Sequence, residues 1–170
     1  MACGNKENES MNKVVTKFSG ERHDPNLDQQ IQPLLNQYFA VMAYLQEQDS
    51  ADLVLYGSNM IMLADSLIQQ DLSLDTATQN RAVQGLMNIQ YEMSAILMES
   101  SPAERIMGAQ MLSLQWIHFL ASIGYQKQTI YIFSDKEENQ WMGLKNKASN
   151  PFVSGGDVSY TPVQVLQELK

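Results

Sequence analysis

The chain has 170 residues, enough for one domain with a sizeable core. Apolar residues make up 44% and charged residues 18%, a globular rather than a disordered composition. The formal charge is −8, and between Asp24 and Gln126 only Arg81 and Arg105 are basic, so no cluster of cations exists to displace counterions from a phosphate backbone; nucleic acid and anionic membrane surfaces are poor partners.

Met1-Ala2-Cys3-Gly4-Asn5 opens the chain, followed by the polar run Lys6-Glu7-Asn8-Glu9-Ser10. A small residue before the sole cysteine, then glycine and a polar tether, resembles the cleavage region of a bacterial lipoprotein. On that reading Cys3 carries the lipid and is the chain's only contact with a membrane. The protein would then sit outside the cytoplasm, on the periplasmic or cell-surface side of the envelope. The plainer reading makes Cys3 an incidental thiol. A single cysteine rules out an internal disulfide. Residues 4–24 lack apolar periodicity and read as a flexible spacer holding a solvated His23, so residues 1–24 form a tether and 25–170 a single domain.

Four helices are expected next, with the plan of an all-α, up-and-down four-helix bundle. The first spans residues 33–48, with Pro33 in its first turn and Leu34, Leu35, Tyr38, Val41, Met42 and Leu45 on its inner face. Ser50 caps the second, whose stripe is Leu53, Tyr56, Met60, Leu63 and Leu67. Its greasiest part, residues 53–63, is interrupted by Gly57-Ser58-Asn59 and falls short of the roughly 18–20 apolar residues a membrane span needs. The third covers residues 76–99, with Val83, Leu86, Ile89, Met93, Ile96 and Leu97 inward. Ser101-Pro102-Ala103-Glu104 reads as a capping box opening the fourth, which turns Ala109, Leu112, Trp116, Phe119, Leu120 and Ile123 to the core and ends at Gly124.

Beyond Gly124 the pattern changes. Thr129-Ile130-Tyr131-Ile132-Phe133 is β-branched and aromatic and reads as a strand, with residues 135–139 a polar turn. Asn150-Pro151 and Gly155-Gly156 punctuate an irregular stretch. Thr161-Pro162-Val163-Gln164 repeats the capping-box pattern and opens a short last helix. This irregular extension is too small to hold its own core and should fold onto the bundle.

Trp141-Met142-Gly143, then Asn150-Pro151-Phe152, then Gly156-Asp157-Val158 resemble the end of a bacterial domain family of unknown function. Its members occur alone in lipoproteins, mostly of Bacteroidetes, or attached to periplasmic adaptor proteins of copper and silver efflux systems. Leu34-Leu35-Asn36-Gln37-Tyr38 is similar to the family's opening helix, and Gln110-Met111-Leu112-Ser113-Leu114 through Gly124 to its last. The resemblance spans residues 30–158, with the tail motif its specific part. Where the family has Cys-Pro-Met, this chain has Phe133-Ser134-Asp135, and the family's closing cysteine is absent. If those soft groups hold Cu(I) in relatives, this chain lacks that site, because serine and aspartate do not replace thiolate and thioether.

The remaining chemistry is sparse. Met107 and Met111 share a helix face with His118 farther along, a possible soft-metal set; the plainer reading makes methionine a core filler and His118 a packed residue. Glu92 is the one carboxylate offered as a partner for His118. The 135–139 turn lacks the ligand spacing of a calcium loop. Trp141, Pro151 and Phe152 either clamp the tail to the bundle or form an exposed docking patch. No nucleophile–base pair or phosphate loop is legible, and no cofactor is implied. The expectation is therefore a non-catalytic envelope lipoprotein that binds a partner protein or small ligand. The alternative is a soft-metal accessory acting through methionines, with an enzyme the weakest of the three.

Overall fold

Asp24 caps the first helix. Its Oδ1 accepts from the backbone N–H groups of Asn26 (2.8 Å) and Leu27 (3.3 Å), capping α1 (Pro25–Tyr44). The computed structural model describes residues 24–45, 50–153 and 159–168; Cys3, His23 and the Gly156-Asp157-Val158 motif lie outside the described residues. The first helix therefore begins at Pro25, eight residues before the expected Pro33. Pro33 sits inside the helix on its exposed side. Gln29, whose carbonyl loses its helical partner there, is exposed too, so water can satisfy it. The earlier start adds Leu27 and Ile31 to the buried stripe.

The Ser50 hydroxyl accepts from Leu53 N–H (3.0 Å) and opens α2 (Ala51–Ile68), as expected. Its buried positions Leu53, Gly57, Met60, Ala64 and Leu67 alternate by four and three. By length and composition alone α2 is apolar enough to cross a membrane, although it packs against α1 and α3. Asp75 caps α3 (Thr76–Met98), which buries Ala82 in place of the expected Val83. Pro102 starts α4 (Pro102–Ser122), yet Ser101 makes no side-chain capping bond among the described residues, so the expected capping box does not form. The far end matches expectation. Gly124 takes φ +66°, and its N–H and that of Tyr125 return to the carbonyls of Ala121 and Leu120, a left-handed helix stop open to glycine at little cost.

Successive helices pack side by side, giving the four-helix bundle with a small C-terminal extension. In that extension β1 (Tyr131–Ser134) lies between β2 (Gln140–Gly143) and β3 (Gln164–Val165), antiparallel to both, with Phe133 opposite Trp141 and Ile132 opposite Gln164. The Thr161–Gln164 stretch thus feeds a strand, and only Leu166–Glu168 turns into a short 3-10 helix. Pairing with the open edge of β1 outweighs the local helix-start signal. The sheet belongs to the bundle's own core. Asp28, buried in the first turn of α1, accepts from Gln126 N–H (2.9 Å), and the Tyr125 hydroxyl donates to Gln32 (2.6 Å).

Close helix approach uses two glycines differently. A methyl group at Gly85 would stand 2.5 Å from Phe119 Cδ2 and 3.1 Å from its Cγ, against a ring that is itself buried. At Gly57 it would meet the flexible ends of Met93 and Leu97. Alanine gains about 1 kcal/mol of helix propensity at either position, whereas overpacking costs about 1–3 kcal/mol. Gly85→Ala is expected to lose stability in urea unfolding, while Gly57→Ala stays within about 1 kcal/mol of the parent. Equal behaviour of the two would show that the Phe119 ring moves freely.

Candidate functional site

The last two turns of α1, strand β2 and the loop that follows it enclose a groove of about 370 Å³. Phe39, Met42 and Ala43 form one wall, Trp141 and Met142 the floor, and Ala148 to Pro151 with Val153 the other wall. No titratable side chain is among these lining residues, and the surface is mostly apolar.

Local chemistry holds this loop in place. Asn150 is buried; its Oδ1 accepts from Phe152 N–H (2.9 Å) and its amide donates to Asp135 Oδ2 (2.9 Å). Asp135 also takes N–H bonds from Glu137 and Asn139 on Oδ1 and the Asn139 amide on Oδ2. Partial burial pushes the Asp135 carboxyl up, but these hydrogen bonds outweigh it and hold the group below the ordinary carboxylate range. Four donors occupy its two oxygens, so this turn is a scaffold with little left for a cation.

Beneath the groove a directional hydrogen-bond chain joins three elements. Met142 N–H donates to the Tyr38 hydroxyl (3.2 Å), which pairs with Ser113 Oγ (2.8 Å), and Ser113 reaches Met42 Sδ (3.9 Å). If Ser113 gives its proton to sulfur, Tyr38 must be the donor to Ser113. Burial pushes the Tyr38 phenol up to about 12, against the pull of its Ser113 and Met142 bonds.

Trp141 and Phe152 are both buried. The Trp141 ring stacks on Phe133 (5.6 Å, 16°) and meets Phe152 and Tyr160 edge-on at 6.0 and 5.1 Å. These two residues therefore clamp the tail. They do not stand out as an exposed docking patch; of the expected trio only Pro151 is half-exposed, on the groove wall. The Trp141 indole N–H is buried with no acceptor among the described residues. Trp116 shares that lack, but it lies in the bundle interior away from the groove lining.

The proposed metal residues do not converge. Met107 and Met111 are both exposed on α4, one turn apart. His118 is half-buried, and its desolvation favours the neutral ring. Seven residues of helical rise put it about 10 Å beyond Met111, too far to share one ion. Glu92 lies on α3, and the contact of Phe119 with Gly85 sets His118 about two turns from it. Among the described residues no three His, Cys, Asp or Glu side chains group to hold a metal. The core-filler reading of methionine holds for Met60 and Met93, both buried, while Met62, Met87, Met98, Met107 and Met111 are exposed.

Sequence reasoning missed the Tyr38–Ser113 pair. Its one signal was a serine at position 113, inside the apolar face of α4.

Fold and groove together define a four-helix-bundle protein with a sheet-capped apolar cleft. The chain matches no protein-family model, no curated protein and no solved structure.

Proposed function

We propose that this protein is a non-catalytic binding module of the cell envelope, tethered through a lipid on Cys3, that holds an apolar group of a small ligand or partner protein in the α1–β2 groove. The observation that carries the reading is the groove itself. Its volume of about 370 Å³ falls in the range of small-molecule sites, and its walls are apolar with few polar points.

A fluorescent naphthyl ketone, an apolar reporter of its surroundings, is a suitable probe for the mostly apolar lining. We expect saturable binding with blue-shifted emission in the parent protein. Ala43 is exposed on the groove wall, so Ala43→Arg should block the cleft without touching the core. The variant is expected to bind at least about tenfold more weakly, a difference of about 1.4 kcal/mol, with an unchanged melting temperature. Equal binding by both proteins would remove the groove from consideration.

A second reading follows from two methionines, Met42 and Met142, both buried but among the residues that line the groove. They are soft donors suited to Cu(I) or Ag(I), which fits an accessory role in soft-metal homeostasis. Anaerobic Ag(I) titration of the parent and of Met42→Leu separates this from the first reading. Stoichiometric binding lost in the variant supports the metal, and indifference to Ag(I) rejects it.

A further inference from the structure

A second surface, on the outer face of α3 and α4, shares no residue with the groove lining, and its chemistry is different. Helices α3 and α4 run antiparallel, with their register set by three contacts. Asn88 donates to Gln115 (3.2 Å), Gly85 meets Phe119, and Gly108 meets the Ile96 side chain. One turn from the Asn88–Gln115 bond toward the α3–α4 connection come Glu92 and Met111, and beyond them Glu99 and Glu104 with Met107. The outer side of this seam is unusually apolar for a surface. Tyr91 is 73% exposed, Met98 85%, Met107 65% and Met111 47%.

These side chains do not follow from core packing, because each helix already buries a full stripe: Leu86, Ile89, Met93 and Ile96 on α3, Ala109, Leu112 and Trp116 on α4. Leaving a tyrosine and three methionines in water has a cost in solubility and no return within the monomer. Methionine is unbranched and polarizable, so a surface of it repacks around varied apolar partners. Charge narrows the partner further. Residues 24–126 carry eleven acidic side chains against Arg81 and Arg105 alone, and three of the acids, Glu92, Glu99 and Glu104, flank this face. Two antiparallel helices also present a shallow trough along their seam, the shape that accepts a third helix.

We propose that the outer face of α3 and α4, centred on Tyr91, Met98, Met107 and Met111, docks a basic amphipathic helix of a partner protein. The partner's apolar side chains, spaced three and four apart, pack among the methionines. Its lysines and arginines meet Glu92, Glu99 and Glu104. This surface is separate from the α1–β2 groove, and the inference stands whether or not the groove binds a ligand.

The test uses the full chain and a labelled leucine–lysine peptide about 18 residues long, amphipathic as a helix. A scrambled peptide of the same composition and a leucine–glutamate peptide serve as controls. We expect saturable binding of the first, weakened by salt, and none of the acidic peptide. Amide shifts in a ¹⁵N spectrum should cluster on α3 and α4. Because the side chains are exposed, the double substitution Met107→Ser with Met111→Ser should keep the parent melting temperature while weakening binding about tenfold. The Ala43→Arg change should leave peptide binding intact. Equal affinity for the scrambled peptide, binding unaffected by the double substitution, or shifts centred on the groove would each overturn the proposal.

Discussion

Trp141→Ala is expected to lower stability by about 3–5 kcal/mol, because it empties a fully packed aromatic site. The Trp141 ring is 2% exposed and lies at the centre of an aromatic set, stacked on Phe133 from the paired strand and edge-on to Phe152 and Tyr160 from the two loops. Removing it opens a cavity bounded by Phe133, Phe152 and Tyr160 from three separate segments, none of which can close it alone. The four helices keep their own buried stripes, so the helical signal in circular dichroism should persist at low temperature. The melting temperature should fall by roughly 10 °C for a domain of this size. Trp141→Phe retains the stack and should recover more than half of the loss. A drop of less than about 1 kcal/mol for the alanine variant would mean that the sheet is not fastened to the bundle through this ring, and the groove would then lack a rigid floor.

Trp141 also shows where reading the chain stops being informative. As a bare sequence, an aromatic residue beside Asn150-Pro151-Phe152 serves equally well as a clamp or as an exposed patch. Only the pairing of β1 with β2 puts Phe133 beneath it. What was legible was local: the Ser50 cap, the Gly124 stop, and the three-and-four spacing of α2, α3 and α4 depend on residues within one or two turns of each other. The start of α1 is ambiguous in the sequence because two prolines compete for the first turn, and Leu27 and Ile31, four apart, extend the stripe back to Pro25. Gln164 and Val165 pair with β1 despite a helix-start pattern just before them, since an unpaired strand edge is a stronger demand than a cap. The groove was beyond reach for the same reason. Its walls come from positions 39–43 and 141–153, joined by the bond from Met142 N–H to the Tyr38 hydroxyl, 104 residues apart.

That buried pair carries the second large effect. Tyr38→Phe deletes one oxygen from a site with no access to water. The Met142 N–H loses its acceptor and Ser113 loses its partner, so at neutral pH the variant should be less stable by about 2 kcal/mol. Raising the pH should erase that difference. Burial holds the folded phenol near 12, whereas the unfolded chain ionises near 10.0. A group whose folded pKa is raised gives its full stabilisation below the unfolded pKa and loses it as pH climbs toward the folded one. Between pH 10 and 12 the unfolded state sheds a proton that the native state retains, and up to about 3 kcal/mol of stability disappears from the parent protein. Tyr125 is also shifted up to about 12, first by burial and then by the nearby Asp28 charge, but both proteins keep it. The difference between their stabilities therefore isolates Tyr38. Urea unfolding at pH 8, 10, 11 and 12 should show the parent well ahead of Tyr38→Phe at pH 8 and level with it near pH 12. Two curves that stay parallel across this range would mean that the phenol releases its proton as readily in the folded protein as in the unfolded one. The hydroxyl would then have access to water, and the chain from Met142 through Tyr38 to Ser113 could not be what seals the sheet onto the bundle.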